Sequence, residues 1–225
     1  MFSNFKFSVF PVLSSYFNNN DYCAISFEHI PPEFKNFDLK TFSDLENYVA
    51  RTLQKHSATV AEGGYGEQRN LYNSSKHFNK ANEEPRTIHL GIDLWTKAGT
   101  PIFAPLDGKI HSRQYNGNDL DYGATIITEH FVGNEKFYIL FGHLSLASLQ
   151  NRKIGENFTA GDILAELGNP SENGGWNPHL HLQIVKEIGN WSGDYPGVAK
   201  KSEAEFYLKN SPNPFFLIHP ETHKN

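Results

Sequence analysis

The sequence predicts a mainly β fold of the β-rich α+β class, built on antiparallel sheets. Aromatic residues are frequent, at 14% of the 225 residues and led by 18 Phe and 10 Tyr, and aromatic side chains favour strands. Residues 87–188 consist of short apolar runs separated by turn signals such as Asp107-Gly108 and Asn116-Gly117. No long helical periodicity interrupts these runs, so we expect a compact β domain there.

The chain before this region predicts one helix. The stretch SDLENYVARTLQKH places apolar residues on one helical face at positions 45, 48, 49 and 53. Ser43 is a candidate N-cap, and Glu46, three residues later, completes a capping box. We therefore expect a helix near residues 44–56.

Three segments make up the predicted organisation of the chain. An N-terminal extension over residues 1–84 carries the helix, the β domain covers 85–190, and a tail over 191–225 wraps around that domain. Residues 61–87 contain GGYGEQRN followed by a long polar connection. Connections of this length inside a compact domain are usually functional or disordered.

Composition excludes several classes of protein. The net charge of −5 argues against nucleic-acid binding, which needs a basic face. The single cysteine, Cys23, excludes an intrachain disulfide framework and a cysteine-cage zinc site. No stretch approaches the roughly 20 apolar residues of a membrane span. The short apolar stretch at residues 7–13 follows a single lysine, is broken by Pro11 and runs into three asparagines rather than a cleavage site. We therefore expect a cytoplasmic protein, with a secreted form as the alternative. The oligomeric state is not predictable from these features.

Among the eleven histidines, two lie in the stretch HLHLQIV. Alternate residues of a strand point to the same face and lie about 6.6 Å apart. His179, His181 and Gln183 therefore share one face, and the leucines between them share the other, which we expect to pack on the core. Two imidazoles so placed can lean into one site. An ordinary half-exposed strand with outward polar residues is the alternative.

A second pair, His89 and Asp93, lies in the stretch HLGID. On a straight strand these residues would be about 13 Å apart, too far to share an ion. They converge only if the chain bends, and Gly91 at the midpoint tolerates the backbone of a kink or bulge. Imidazole and carboxylate are common ligands of zinc. A buried histidine bonded to a nearby aspartate is the alternative.

Together these stretches offer more groups than a metal needs. A catalytic zinc site takes three protein ligands and keeps a fourth position for water. A set of two histidines and one aspartate would meet that need and would leave two further histidines, His179 and His143 of the stretch FGH, free for proton transfer. The sequence has no HExxH motif, which excludes a helical zinc peptidase that uses glutamate as its base.

The motifs HLGID, FGHLS and PHLHLQI, in this order, resemble those of the LytM/lysostaphin-type zinc endopeptidases. These peptidoglycan DD-metalloendopeptidases cleave peptide bridges of peptidoglycan. The HxH motif follows the first histidine by about 90 residues, and the flanking stretches GTPIFAPLDGKI and AGDILAELG are similar to strands of that family. The resemblance covers roughly residues 85–188.

The resemblance implies a role for each of five residues. His89, Asp93 and His181 would bind Zn²⁺, and His143 and His179 would serve catalysis. The implied fold is a large antiparallel sheet that faces a smaller one and forms a groove over the metal. The implied activity is hydrolysis of peptide bonds in peptidoglycan stem or cross-bridge peptides.

Some segments depart from the family pattern. The loop before HLH reads GNPSENGGWNPHLH, so we expect Trp176 and Asn177 near the site, where the family usually has small residues. This loop, GGYGEQRN and DYPGVAKKSE are more similar to a branch whose domains are also found fused to class-III aminotransferases. Two alternative functions therefore stay open: a cytoplasmic zinc hydrolase that acts on another small amide or peptide, and a non-catalytic binding module.

Overall fold

The computed structural model describes residues 8–13, 17–69 and 84–220. The described residues contain twelve strands: β1 (Tyr22–Ala24), β2 (Val60–Gly63), β3 (Arg86–His89), β4 (Ile92–Trp95), β5 (Pro101–Phe103), β6 (Gly108–Asn116), β7 (Gly123–Val132), β8 (Glu135–Leu144), β9 (Asn157–Phe158), β10 (Ile163–Glu166), β11 (His179–Val185) and β12 (Val198–Lys200). Three α-helices accompany them: α1 (Phe42–His56), α2 (Leu146–Asn151) and α3 (Ala204–Asn210). The prediction of a mainly β fold with antiparallel sheets is confirmed.

Eight strands form the main sheet, in the order β1-β2-β4-β11-β8-β7-β6-β9. All neighbours are antiparallel except β1 and β2. The long strands β6, β7 and β8 are consecutive along the chain and form an antiparallel meander. Residues 117–122 connect β6 to β7, and the two-residue turn at Gly133-Asn134 connects β7 to β8.

Two smaller sheets flank the main one. Strands β5 and β10 pair with each other, and β12 pairs with β3. One face of β4, β8 and β11 packs into the largest apolar core, to which Ile102 and Leu164 of the β5–β10 sheet also belong. The leucines between the histidines of β11 lie in this core, as their alternation predicts. The opposite face of β11, which we expected to be open, is also buried.

The N-terminal extension is built into the main sheet. Strand β2 pairs with β4, and β1 pairs with β2 in parallel, with α1 as the connection between them. We expected this segment only to pack against the domain. It joins the sheet because β4 leaves its outer edge open to hydrogen bonding by β2, as a sheet edge does when nothing covers it. The strand β4 therefore lies between the extension and β11.

Helix α1 begins earlier than the sequence predicts. Thr41 is the N-cap, and its side chain accepts a hydrogen bond from the Asp44 backbone nitrogen at 3.2 Å. Ser43, the expected cap, therefore lies inside the first turn. The helix ends at His56 because Ser57 adopts the left-handed conformation with φ 52°.

The C-terminal part is more regular than expected. It contributes β12, which pairs with β3, and the helix α3, which its short polar sequence did not predict. Most of the long connection within 61–87, residues 70–83, lies outside the described residues, as do parts of the N-terminal apolar stretch. Within the described ranges, no helix has the length and apolar character that a membrane crossing requires. The division into three segments stays a prediction.

Candidate metal and catalytic site

Strand register brings most of the expected site residues together. In the antiparallel pair β4–β11, Asp93 lies directly opposite His181, and Trp95 lies opposite His179. On the other side of β11, His181 lies opposite Gly142, the residue before His143. All four polar residues are more than nine-tenths buried.

His89 reaches the same place because the chain changes sheets after it. Strand β3 belongs to the sheet with β12, whereas β4 belongs to the main sheet. The change at residues 90–91 brings the Nε2 atom of His89 to 3.3 Å from Oδ1 of Asp93, far less than a straight strand would allow. The bend expected around Gly91 is present, but Gly91 is not in the left-handed region. Its small size matters instead, since β11 passes close to it.

Three ligand atoms converge at the centre of the site. Nε2 of His89 lies 3.0 Å from Nδ1 of His181, and that Nδ1 lies 3.1 Å from Oδ1 of Asp93. Within the described residues, these three are the group of histidine, cysteine and acidic side chains that could hold a metal ion. His89, Asp93 and His181 thus meet as a triangle with edges of 3.0–3.3 Å.

In both His89 and His181, the ring nitrogen that points away from the centre of the site, called the outer nitrogen here, lies next to a hydrogen-bond acceptor. Nδ1 of His89 lies 2.8 Å from the Gly64 carbonyl, and Nε2 of His181 lies 2.9 Å from Oε1 of Gln183. The Gln183 amide is oriented by its nitrogen, which donates to the Pro196 carbonyl at 3.1 Å. These acceptors favour the tautomers in which the outer nitrogens carry the protons and the inner nitrogens present lone pairs.

This arrangement fits a zinc ion. Two imidazole nitrogens and a carboxylate oxygen face one another, and in the tautomers that place the protons on the outer nitrogens they present lone pairs that a cation can join. Ligand atoms of a tetrahedral zinc site with bonds of about 2.0–2.1 Å lie about 3.3 Å apart. The observed edges of 3.0–3.3 Å match that spacing. The residues present thus suit the metal that the sequence implies.

The charge on Asp93 is stabilised by its surroundings. Burial by itself raises the pKa of this carboxyl group, but the neighbouring His89 and the Arg69 guanidinium hold it well below its ordinary value. Nη1 of Arg69 donates to Oδ2 of Asp93 at 2.5 Å. Asp93 is therefore ionised near neutral pH, as a metal ligand must be.

The remaining two histidines lie beside the triangle. The ring centroids of His143 and His179 are 4.1 Å apart, and the His179 ring stacks on Trp95 at 4.0 Å. Nδ1 of His143 lies 2.8 Å from the Asn173 carbonyl, and Nδ1 of His179 lies 2.7 Å from the Asn177 carbonyl. Both Nδ1 atoms therefore carry protons, and both Nε2 atoms are left as bases.

Burial keeps these two imidazoles neutral. It lowers the pKa of His179 to about 4 and holds the pKa of His143 well below its ordinary value. His143 also has a φ of 62°, an uncommon conformation for a residue with a side chain and one that is frequent at functional sites. The backbone holds it there, since the His143 nitrogen donates to the Tyr122 carbonyl and its carbonyl accepts from Gly168.

The five residues line one pocket of about 80 Å³. Trp176 also lines it, as expected, with its ring centroid 6.3 Å from that of His143 and 6.0 Å from that of His179. Asn177 lies beside the site, where its backbone carbonyl is the partner of Nδ1 of His179. The described lining further includes Arg69, Tyr122 and Asp194, for which we predicted no role. Arg69 lies in the GGYGEQRN stretch that the sequence marked as unusual, whereas no sequence signal distinguishes the other two.

The part of the chain that contains this site is similar to known proteins. A family model described as Peptidase family M23 matches residues 87–193. An uncharacterized metalloprotease of Haemophilus influenzae is 28% identical over 158 residues, which are 65% of this chain and 31% of the relative. The chain thus spans about a third of the length of that curated relative.

Two solved structures are also similar. A zinc-containing peptidase from Vibrio cholerae is 25% identical over 48% of this chain and 30% of its own, with a TM-score of 0.35. The catalytic domain of lysostaphin, an antimicrobial peptidase from Staphylococcus simulans, is 22% identical over 65% of this chain and 90% of its own, with a TM-score of 0.41. The family match covers HLGID, FGHLS and HLH, whose side chains meet in the pocket, so the residues that form this site lie within the part of the chain that is similar to peptidase family M23.

Proposed function

We propose that this protein is a zinc metallopeptidase that hydrolyses peptide bonds. The observation that carries the proposal is the convergence of three ligand atoms, on His89, Asp93 and His181, beside the imidazoles of His143 and His179. A structural zinc site fills all four positions with protein ligands, whereas a catalytic site keeps one open. Three ligands within the described residues suit the catalytic kind.

Bound zinc would supply Lewis acidity, which lowers the pKa of a bound water towards about 7 and polarises the scissile carbonyl. Hydrolysis adds water across the C–N bond, so one proton leaves the attacking water and one reaches the departing nitrogen. The neutral Nε2 atoms of His143 and His179 can accept and return these protons. Once protonated, either imidazole can also stabilise negative charge on the carbonyl oxygen.

The arrangement of hydrogen bonds suits this proton transfer. Each Nδ1–H is bound to a carbonyl of one loop, at Asn173 or Asn177, which fixes the tautomer and the ring plane. Trp95 stacks on the His179 ring and Trp176 meets it edge-on, so apolar rings lie beside this imidazole. Charge that develops in such a buried pocket interacts more strongly with the histidines than it would in water.

We propose a peptide of peptidoglycan, in a stem or a cross-bridge, as the substrate. The motifs shared with the LytM/lysostaphin-type enzymes support this choice. The finer placement, in the branch whose domains are also fused to class-III aminotransferases, rests on GGYGEQRN, NGGW and DYPGVAKKSE. The expected cytoplasmic location stays a prediction, which cell fractionation with an antibody to the chain tests.

The function is tested with purified protein, measured zinc content and two substrate sets. Purified sacculi and synthetic stem and cross-bridge peptides form the first set, and unrelated small amides form the second. Zinc-dependent release of peptide fragments, lost in EDTA and restored by added zinc, supports the proposal. Zinc binding with turnover of the second set alone supports the alternative amide hydrolase, and a protein that binds no zinc supports the binding module.

A further inference from the structure

The two oxygens of Asp93 have different surroundings. Oδ1 faces His89 and His181 at the centre of the site, at 3.3 and 3.1 Å. Oδ2 accepts a hydrogen bond from Nη1 of Arg69 at 2.5 Å. The guanidinium therefore occupies one oxygen and leaves the other to face the centre, which presents Asp93 as a ligand through a single atom.

Arg69 is itself held by a second carboxylate. It is only 1% exposed, and its Nε donates to Oε2 of Glu67 at 2.7 Å. The backbone nitrogen of Arg69 donates to the Thr87 carbonyl at 2.7 Å, which anchors it beside β3. The planar fork thus bridges Glu67 and Asp93, a geometry that arginine offers and lysine does not.

Glu67 in turn is bound to an earlier part of the N-terminal extension, at residues 26–28. Its Oε1 accepts from the Ser26 hydroxyl at 2.6 Å and from the backbone nitrogens of Phe27 and Glu28 at 2.7 and 3.2 Å. The Phe27 ring also lies under the Arg69 guanidinium, 4.8 Å from its central carbon. A continuous set of contacts, buried at Arg69 and Asp93 and part-buried at Ser26, therefore runs from residues 26–28 to Asp93.

We propose that Arg69 and Glu67 are positioning residues, which orient Asp93 for metal binding and make the turn at residues 26–28 part of the metal site. The segment 26–69 lies outside the family match at 87–193. It would then influence zinc affinity without binding the metal, through the contact of Arg69 with Asp93. The inference rests on the zinc-binding part of the proposed function and not on the substrate.

Charge and orientation predict opposite results when Arg69 is replaced. Arg69 is a cation in contact with a ligand, so by charge alone its removal would strengthen the binding of a dication. By orientation its removal frees Asp93 to turn and leaves a buried oxygen without its donor. A loss of zinc affinity in a variant that lacks this charge therefore reports orientation.

The test measures zinc affinity by competition with a chromogenic chelator, together with the denaturant midpoint in EDTA. Arg69→Gln should bind zinc about 10–100-fold more weakly, the usual effect of losing a group that orients a ligand. Glu67→Gln should cause a smaller loss, and the double variant should lose no more than Arg69→Gln alone, because Glu67 acts through Arg69. Arg69→Lys keeps the charge but loses the fork, and should also weaken binding.

Arg152→Gln is the matched control. Arg152 likewise binds a carboxylate, at Glu156, and a backbone carbonyl, at Leu164, but has no link to the metal ligands. It should lower the midpoint and leave zinc affinity unchanged. If Arg69→Gln does not fold, Arg69→Lys and Glu67→Gln decide the question.

Unchanged or tighter zinc binding by the folded Arg69 variants would overturn the inference, as would additive losses in the double variant. A wild-type protein that binds no zinc would instead defeat the proposed function, so the two failures are distinguishable.

Discussion

Gly91 lies against the imidazole of His181. A Cβ at position 91 would stand 2.7 Å from Nε2 of His181 and 2.6 Å from the Leu182 carbonyl. The hydrogen at this position is therefore what allows β11 to bring His181 up to the bend between β3 and β4.

Gly91→Ala should consequently displace His181 and weaken zinc binding as well as folding. Gly108→Ala is a closely matched control, because its Cβ would stand 2.6 Å from the Glu129 carbonyl and 2.7 Å from Nδ1 of His130, away from the metal site. Both substitutions should reduce the free energy of unfolding by about 1–3 kcal/mol, the cost that is typical of overpacking, and so lower the denaturant midpoint. Equal zinc affinities in the two variants, measured by chelator competition, would contradict this expectation.

His181→Ala should abolish stoichiometric zinc binding. The change removes one of three ligands, so the loss of affinity should exceed the 10–100-fold that is typical for groups outside the ligand set. His111→Ala controls for the loss of a histidine elsewhere, since His111 lies on β6 and bonds to Ser112. Metal analysis after dialysis measures the effect, and undiminished zinc in His181→Ala would refute the ligand assignment.

His143→Ala and His179→Ala should retain zinc and lose most of the hydrolytic rate. All three ligands remain in these variants, whereas a neutral base facing the pocket is removed. Groups that transfer protons or stabilise charge in the transition state typically contribute about 100–1,000-fold. Zinc content and turnover are measured on the same preparations. Loss of metal from either variant would show that the division between ligands and catalytic residues is wrong.

His130→Gln should make the protein less sensitive to acid. The pKa of His130 is lowered to about 4, because burial outweighs the smaller, opposing effects of Asp107 and Glu129. Below about pH 6.5 the unfolded chain therefore binds a proton at this residue that the folded chain does not, and stability falls until about pH 4.

From about pH 7 to about pH 5 this difference costs the wild type about 2 kcal/mol. His130→Gln should lose that much less over the same interval, even if it is less stable at neutral pH. Denaturant titrations in EDTA at the two pH values measure the change. The contributions of the other buried histidines to the loss of stability cancel in the comparison, because both proteins contain them. Parallel losses in both proteins would refute the shifted pKa.

Some of the fold follows directly from local patterns. The alternation in HLHLQIV assigns the leucines to the core, and the turn signals separate the long strands β6 and β7. The start of α1 was less predictable, because Thr41 and Ser43 are both good capping residues and only the tertiary contacts of the helix select between them. The pairing of β2 with β4 depends on contacts between residues 30 or more positions apart, which local periodicity does not encode.

The sequence by itself determined the chemistry of the site. It contains the three motifs HLGID, FGHLS and HLH, with the glycine between His89 and Asp93, and the types and order of these residues restrict the metal and the reaction. Only the tertiary structure decided how they meet. The register of β4 with β11 places Asp93 opposite His181, and the change of sheet at residues 90–91 brings in His89. The folded chain also adds Arg69 and Glu67, whose role cannot be read from residue type, because a buried charge acquires its function from the partner that compensates it.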